Sequence, residues 1–264
     1  MLGKLLKYDL RAMFKFLVIF YALALIFATI TRILFANGDS LIAQIFAQIC
    51  SGTTISMVAS ILINNLMRLW VYFKTNLYGD EGYLMHTLPV SRRDLLTAKM
   101  LMGAITLFVS IFVVVSALAL AYLTPESFEI IKNALLPMAD ALDSAALKLI
   151  LAIIALLYLE FLAILFAGYT GIILGHKKLT GRTGYSILFG LLVYCCMQAV
   201  VLLGIMILAA VNPSLGEKLF DASGAVPDIS VLKPVCILAI LLYAAVILVD
   251  YFAAKRFFKK IDLD

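Results

Sequence analysis

No phosphate-binding loop of the form GxxxxGK[ST] occurs in this chain, and neither HExxH nor GxSxG does. Any ATP chemistry therefore belongs to another polypeptide, and this chain is not expected to be an enzyme. Charge is scarce as well: 14% of the 264 residues are Asp, Glu, Lys or Arg, while 64% are hydrophobic. The four cysteines (Cys50, Cys195, Cys196 and Cys236) all lie in apolar runs, without a CxxC pair or a histidine at ligand spacing. They read as small packing residues rather than as a metal or disulfide framework. The net charge of +5 follows membrane sidedness and is no nucleic-acid signal.

What is abundant is apolar length. A mean hydropathy of +1.09 leaves more apolar surface than a soluble domain of this size can cover, so lipid is its solvent. The expected class is an all-α polytopic membrane protein forming one transmembrane domain. Six spans fall at about 16–36, 41–73, 94–122, 147–174, 185–211 and 234–254. The second is roughly 50 Å long as a helix, against about 30 Å of hydrocarbon, so its last turns with Arg68, Trp70 and Tyr72 should project past the bilayer.

Ahead of the first span, residues 2–15 place Leu2, Leu5, Leu6, Leu10, Met13 and Phe14 on one helical face and Lys4, Lys7, Arg11 and Lys15 on the other. That pattern predicts an interfacial amphipathic helix whose basic face meets lipid headgroups. The run from Phe16 to Phe35 is too long for a signal-peptide core and has no convincing cleavage site after it. Sixteen of the 21 basic residues lie on the side of the N-terminal helix, the 68–99 connection, the 175–184 loop and the tail. Only Arg32, Lys132, Lys148, Lys218 and Lys233 lie opposite. The positive-inside rule then makes both termini cytoplasmic. The segments 124–146 and 212–233 face outward, and neither is long enough for a separate domain.

Between the second and third spans lies a compact polar insert, "KTNLYGDEGYLMHTLPVSRR". Gly79 can end the second span in the left-handed conformation that glycine tolerates. Asp80 can cap a short helix over about Glu81 to Leu88, stopped by Pro89. Ser91 with Asp94 three residues later reads as a capping box that starts the third span, and Val90 can staple to Leu95. Leu84, Met85 and Leu88 can brace the short helix, leaving Asp80, Glu81 and His86 more exposed for a soluble partner. A solvated loop without a partner is the plainer reading of the same residues.

The stretch "GDEGYLMHTLPVSRRDLLTAK" resembles the connection between spans two and three of ABC transporter permeases of the ABC-type-2 class, the membrane domains of bacterial exporters. The architecture is similar along the whole chain, the motif over residues 79–99. The resemblance implies a multi-pass subunit of the bacterial cytoplasmic membrane that works as a dimer with a second, identical or homologous permease. It also implies separate cytoplasmic ATPase subunits that carry ATP and Mg, with no cofactor on this chain. It makes the short helix a coupling helix, with Asp80, Glu81, Gly82, Tyr83 and His86 toward the ATPase and Leu88, Pro89 and Arg92 forming the elbow. Where many members have an Arg-Glu pair, this chain has Asp80-Glu81.

Within the spans, Glu160 lies near the middle of the fourth. A carboxylate there costs about 2.5–3.5 kcal/mol on the insertion scale, so it should face the bundle interior. Gln48, Gln198 or a tyrosine could hydrogen-bond it. It reads either as a substrate-path or proton-relay residue, which would suit a small proton-coupled transporter, or as a protonated side chain joining two helices. Asp250, close to Lys255 and Arg256, should snorkel to the interface. Gly171 and Gly175 form a GxxxG suited to a close helix crossing. His86 and His176 read as solitary surface residues.

Overall fold

The computed structural model describes residues 2–36, 40–79, 91–124, 127–130, 133, 146–177, 181–213, 216 and 232–259. Six long helices dominate: α1 (Leu2–Ala36), α2 (Leu41–Tyr78), α3 (Arg92–Tyr122), α4 (Ala146–Gly175), α5 (Arg182–Val211) and α6 (Leu232–Lys259). All six contain a segment long and apolar enough to cross a membrane, and no strand occurs among the described residues. The protein is a multi-pass helical membrane protein. Its outward faces carry side chains that water would not tolerate in such numbers, among them Ile26, Phe46, Phe112, Leu191 and Leu241. Helices satisfy their own backbone groups, which is why they can present such faces to lipid.

The chain divides into two compact units, Met1–Phe128 and Glu129–Asp264. In the first, α1 packs on both α2 and α3, and α2 packs on α3. The stripe Asp9, Met13, Leu17, Tyr21, Ala24, Ala28 and Thr31 is buried along α1, at spacings of three and four that keep it on one face. Leu17, Tyr21, Ala24 and Ala28 meet Ile61 of α2 and Val114, Ala117 and Ala121 of α3. Polar rungs cross the same bundle. Tyr21 and Asn65 both bond Ser110 Oγ, at 2.7 and 2.6 Å, and Thr31 meets Thr54 at 3.1 Å. At the far end Arg32 donates to the Leu120 and Leu123 carbonyls, a cation placed where the C-terminus of α3 favours one.

The separate interfacial helix expected over residues 2–15 does not part from the first span: α1 is one helix from Leu2 to Ala36. No glycine or proline lies between Lys4 and Ala36 to break it, and the buried stripe runs through the expected junction from Asp9 to Leu17. Lys4, Lys7, Arg11 and Lys15 stay exposed on this continuous helix.

In the second unit α4 packs on α5 and α6, which also touch each other. Gly171 faces Gly190 so closely that an added Cβ would collide with its backbone and come within 2.7 Å of the Ser186 carbonyl. Gly175 stands equally close to Ser186. The GxxxG is thus a real crossing. Asp250 departs from expectation: it is 5% exposed and accepts from Thr170 Oγ1 at 2.9 Å. It shares a helical stripe with Ile247, Ala254 and Phe258, all buried, so the geometry of α6 points it inward rather than toward Lys255 and Arg256.

Candidate functional site

Two polar assemblies stand out, one in each unit. The first fixes the base of the insert. Asp9 Oδ1 accepts from Tyr72 Oη at 2.7 Å and from Lys99 Nζ at 2.9 Å, and Asp9 Oδ2 lies 2.9 Å from the same ammonium. Both charged side chains are fully buried, and Lys99 also sits 4.6 Å from the Tyr72 ring centre. One carboxylate thereby ties α1, α2 and α3 together. Counted along α1 at about 1.5 Å per residue, Asp9 stands roughly 10 Å beyond the apolar run that begins at Phe16. The pair therefore needs no hydrocarbon-buried charge.

From this tie α2 continues to Tyr78 and ends at Gly79, whose amide donates to the Thr75 carbonyl. Gly79 ends the helix, but not in the left-handed conformation expected: φ is −91° and ψ is −168°. Glycine is required for a different reason, since a Cβ here would lie 2.6 Å from the Thr75 oxygen. On the other side Ser91 Oγ accepts from the Asp94 amide at 3.1 Å, so α3 starts where the capping pattern places it. Arg92 is the first, exposed residue of α3. Asp80, Glu81, Gly82, Tyr83, His86, Leu88 and Pro89, with Val90, lie outside the described residues.

The second assembly surrounds Glu160 on α4. Its Oε1 accepts from Tyr194 Oη at 2.6 Å and Gln198 Nε2 at 2.8 Å, both on α5. Tyr243 on α6 donates to Gln198 Oε1 at 3.0 Å. All four side chains are half-buried. Beside them opens a groove of about 650 Å³, lined by Glu160, Gln198 and Tyr243 among Ile153, Leu156, Leu157, Leu202, Ile205 and other apolar residues. Such a wall binds apolar surface and offers a few polar anchors. Gln48 is not part of this chain of bonds; it lies on an exposed face of α2 in the first unit.

Of the partners the sequence offers Glu160 (Gln48, Gln198 or a tyrosine), Gln198 and a tyrosine, Tyr194, meet it; the sequence pattern does not number that tyrosine, nor does it single out Tyr243 or Asp9. Tyr194 was recoverable, because it precedes Gln198 by four residues and so shares its helix face. Asp9 was recoverable too, as the single acid in the series Leu5, Asp9, Met13, Leu17 at fourfold spacing, of which the last three are buried. That Lys99 rather than another cation completes the pair had no local signal. Among the described residues no group of histidine, cysteine or carboxylate side chains could hold a metal ion.

No protein family, curated protein or solved structure matches this chain.

Proposed function

We propose that this chain is the membrane-spanning permease subunit of an ATP-driven exporter, coupled through its 80–90 insert to separate cytoplasmic ATPase subunits and paired with a second permease. The observation that carries the reading is the Asp9–Tyr72–Lys99 tie. It lies about 10 Å along α2 from Gly79 and about 12 Å along α3 from Ser91. Both ends of the insert are thereby anchored in one three-helix body. A push on the insert from a soluble motor moves α1, α2 and α3 together, instead of being lost in independent bending. The resemblance of residues 79–99 to ABC-type-2 permeases supplies the identity of that motor, with ATP and Mg bound on it.

The test is co-purification with ATPase subunits from the native membrane. Glu81→Ala should leave insertion and folding unchanged, because this reading gives the carboxylate a partner contact and no structural role. It should weaken ATPase retention by about ten- to over a hundred-fold, the worth of a charge-assisted contact of about 1.5–3 kcal/mol. Leu88→Asp should do worse, with Thr75→Ala as the control. Wild-type retention in both variants would remove the exporter reading in favour of a plain solvated loop.

A second reading, a small proton-coupled transporter, is favoured by the doubly hydrogen-bonded Glu160 at the edge of the groove. Glu160→Gln separates the two. It keeps an oxygen that can accept from Tyr194 and Gln198 but cannot exchange a proton as a carboxyl group does. The exporter reading expects near-normal folding and ATP-dependent transport in membrane vesicles. The proton-coupled reading expects transport to vanish while the protein still folds. Glu160→Leu leaves two donors unanswered and should cost about 1 kcal/mol in thermal unfolding, since interhelical bonds in membranes average about 0.6 kcal/mol.

A further inference from the structure

On the flank of the first unit, α1 and α2 enclose a groove of about 470 Å³ lined by Tyr8, Arg11, Ala12, Lys15, Phe16, Ile19 and Arg68. Three of these seven residues are cationic and none is acidic. The nearest acid in sequence, Asp9, is fully buried and held by Lys99. Arg68 comes from the other helix and stacks 5.0 Å over the Phe16 ring, which fixes its guanidinium at the level of Lys15.

The groove is graded along the membrane normal. Its polar end, from Tyr8 to Lys15, lies before the apolar run, and its apolar end is Phe16 and Ile19. The same face of α1 continues at helical spacing through Ile26, Ile30 and Ile33, all exposed. From Ile19 to Ile30 that track runs about 16 Å, close to the roughly 15 Å of one leaflet's hydrocarbon. A free anion would use the cations and ignore the track. An amphiphile uses both.

We propose that Arg11, Lys15 and Arg68 bind the phosphate of an anionic phospholipid whose acyl chain runs along Ile19, Ile26 and Ile30. Arginine's planar fork suits a phosphate diester, and the long stems of all three cations let the charges sit at headgroup depth while their methylenes cover apolar surface. The site is independent of the transport reading: it requires only that the chain span a bilayer.

The full-length protein, purified in a neutral detergent, is titrated with phosphatidylglycerol or phosphatidylcholine, and retained lipid is read by native mass spectrometry. Wild type should prefer phosphatidylglycerol by at least about ten-fold. Arg11→Gln, Lys15→Gln and Arg68→Gln together should abolish that preference. Lys4→Gln with Lys7→Gln, which neutralises the same basic segment outside the groove, should change it by less than about two-fold. Inorganic phosphate in large excess should not displace the lipid. The three substituted side chains are exposed, so folding should hold. Arg68→Gln alone, expected to weaken retention several-fold, separates the same outcomes should the triple variant fail to fold. The proposal falls if the groove variants keep the preference or if Lys4 and Lys7 matter as much. Displacement by phosphate alone would overturn it too, marking a soluble-anion site.

Discussion

Lys99→Ala should destabilise the first helical unit by about 3–5 kcal/mol, the range for removing one partner of a buried ion pair. The reason is what stays behind. Asp9 and Lys99 are both fully buried, so truncating the lysine leaves a carboxylate with the Tyr72 hydroxyl and no counter-charge. Asp9→Ala should also destabilise the unit, because it removes the buried counter-charge of the ammonium. The double variant Asp9→Leu with Lys99→Met should recover most of the loss, because two apolar side chains carry no desolvation penalty. The single tryptophan of the chain, Trp70, lies on α2 two residues from Tyr72, so its fluorescence during thermal unfolding in detergent reports on this unit. A Lys99→Ala protein that melts with the wild type would show that the pair is not sealed from water. If the insert is a coupling element, Lys99→Ala should also reduce ATPase retention without altering any insert residue.

Gly171→Val should be the most damaging change in the second unit, at about 3 kcal/mol, the upper end of overpacking costs. Ordinary overpacking is eased by rotating a neighbouring side chain. Here the obstacle is the Gly190 backbone and the Ser186 carbonyl, so α4 and α5 must separate along their crossing. Small residues let membrane helices approach this closely, and dispersion supplies the attraction that is lost on separation. Gly184→Ala is the matched control on α5: nothing lies within 4 Å of the added methyl. It should be neutral or gain up to about 1 kcal/mol from helix propensity. In a background with Cys50, Cys195 and Cys196 replaced by Ser, the remaining thiol, the half-buried Cys236, belongs to the second unit. A thiol-reactive dye then reads its unfolding alone, and equal midpoints for the two glycine variants would dismiss the crossing as a packing element.

The amino-acid sequence by itself determined that this is a helical membrane protein with six spans, and it placed most of the helix ends to within a few residues. Apolar run length decides that, because an unpaired backbone group in hydrocarbon costs several kcal/mol and the helix is the local solution. The Ser91 cap was equally legible, since the donor and acceptor sit three residues apart. Beyond Glu160 and Gln198, tertiary structure alone decided which distant polar residues meet. Asp9 and Lys99 are 90 residues apart in the chain, and Thr170 and Asp250 are 80 apart, so no local spacing encodes either pair. It also decided that α1 runs unbroken through residue 15 and that Asp250 turns inward. In both cases a buried carboxylate meets a neighbouring helix, Asp9 through Lys99 and Asp250 through Thr170, and only packing shows which neighbour that is.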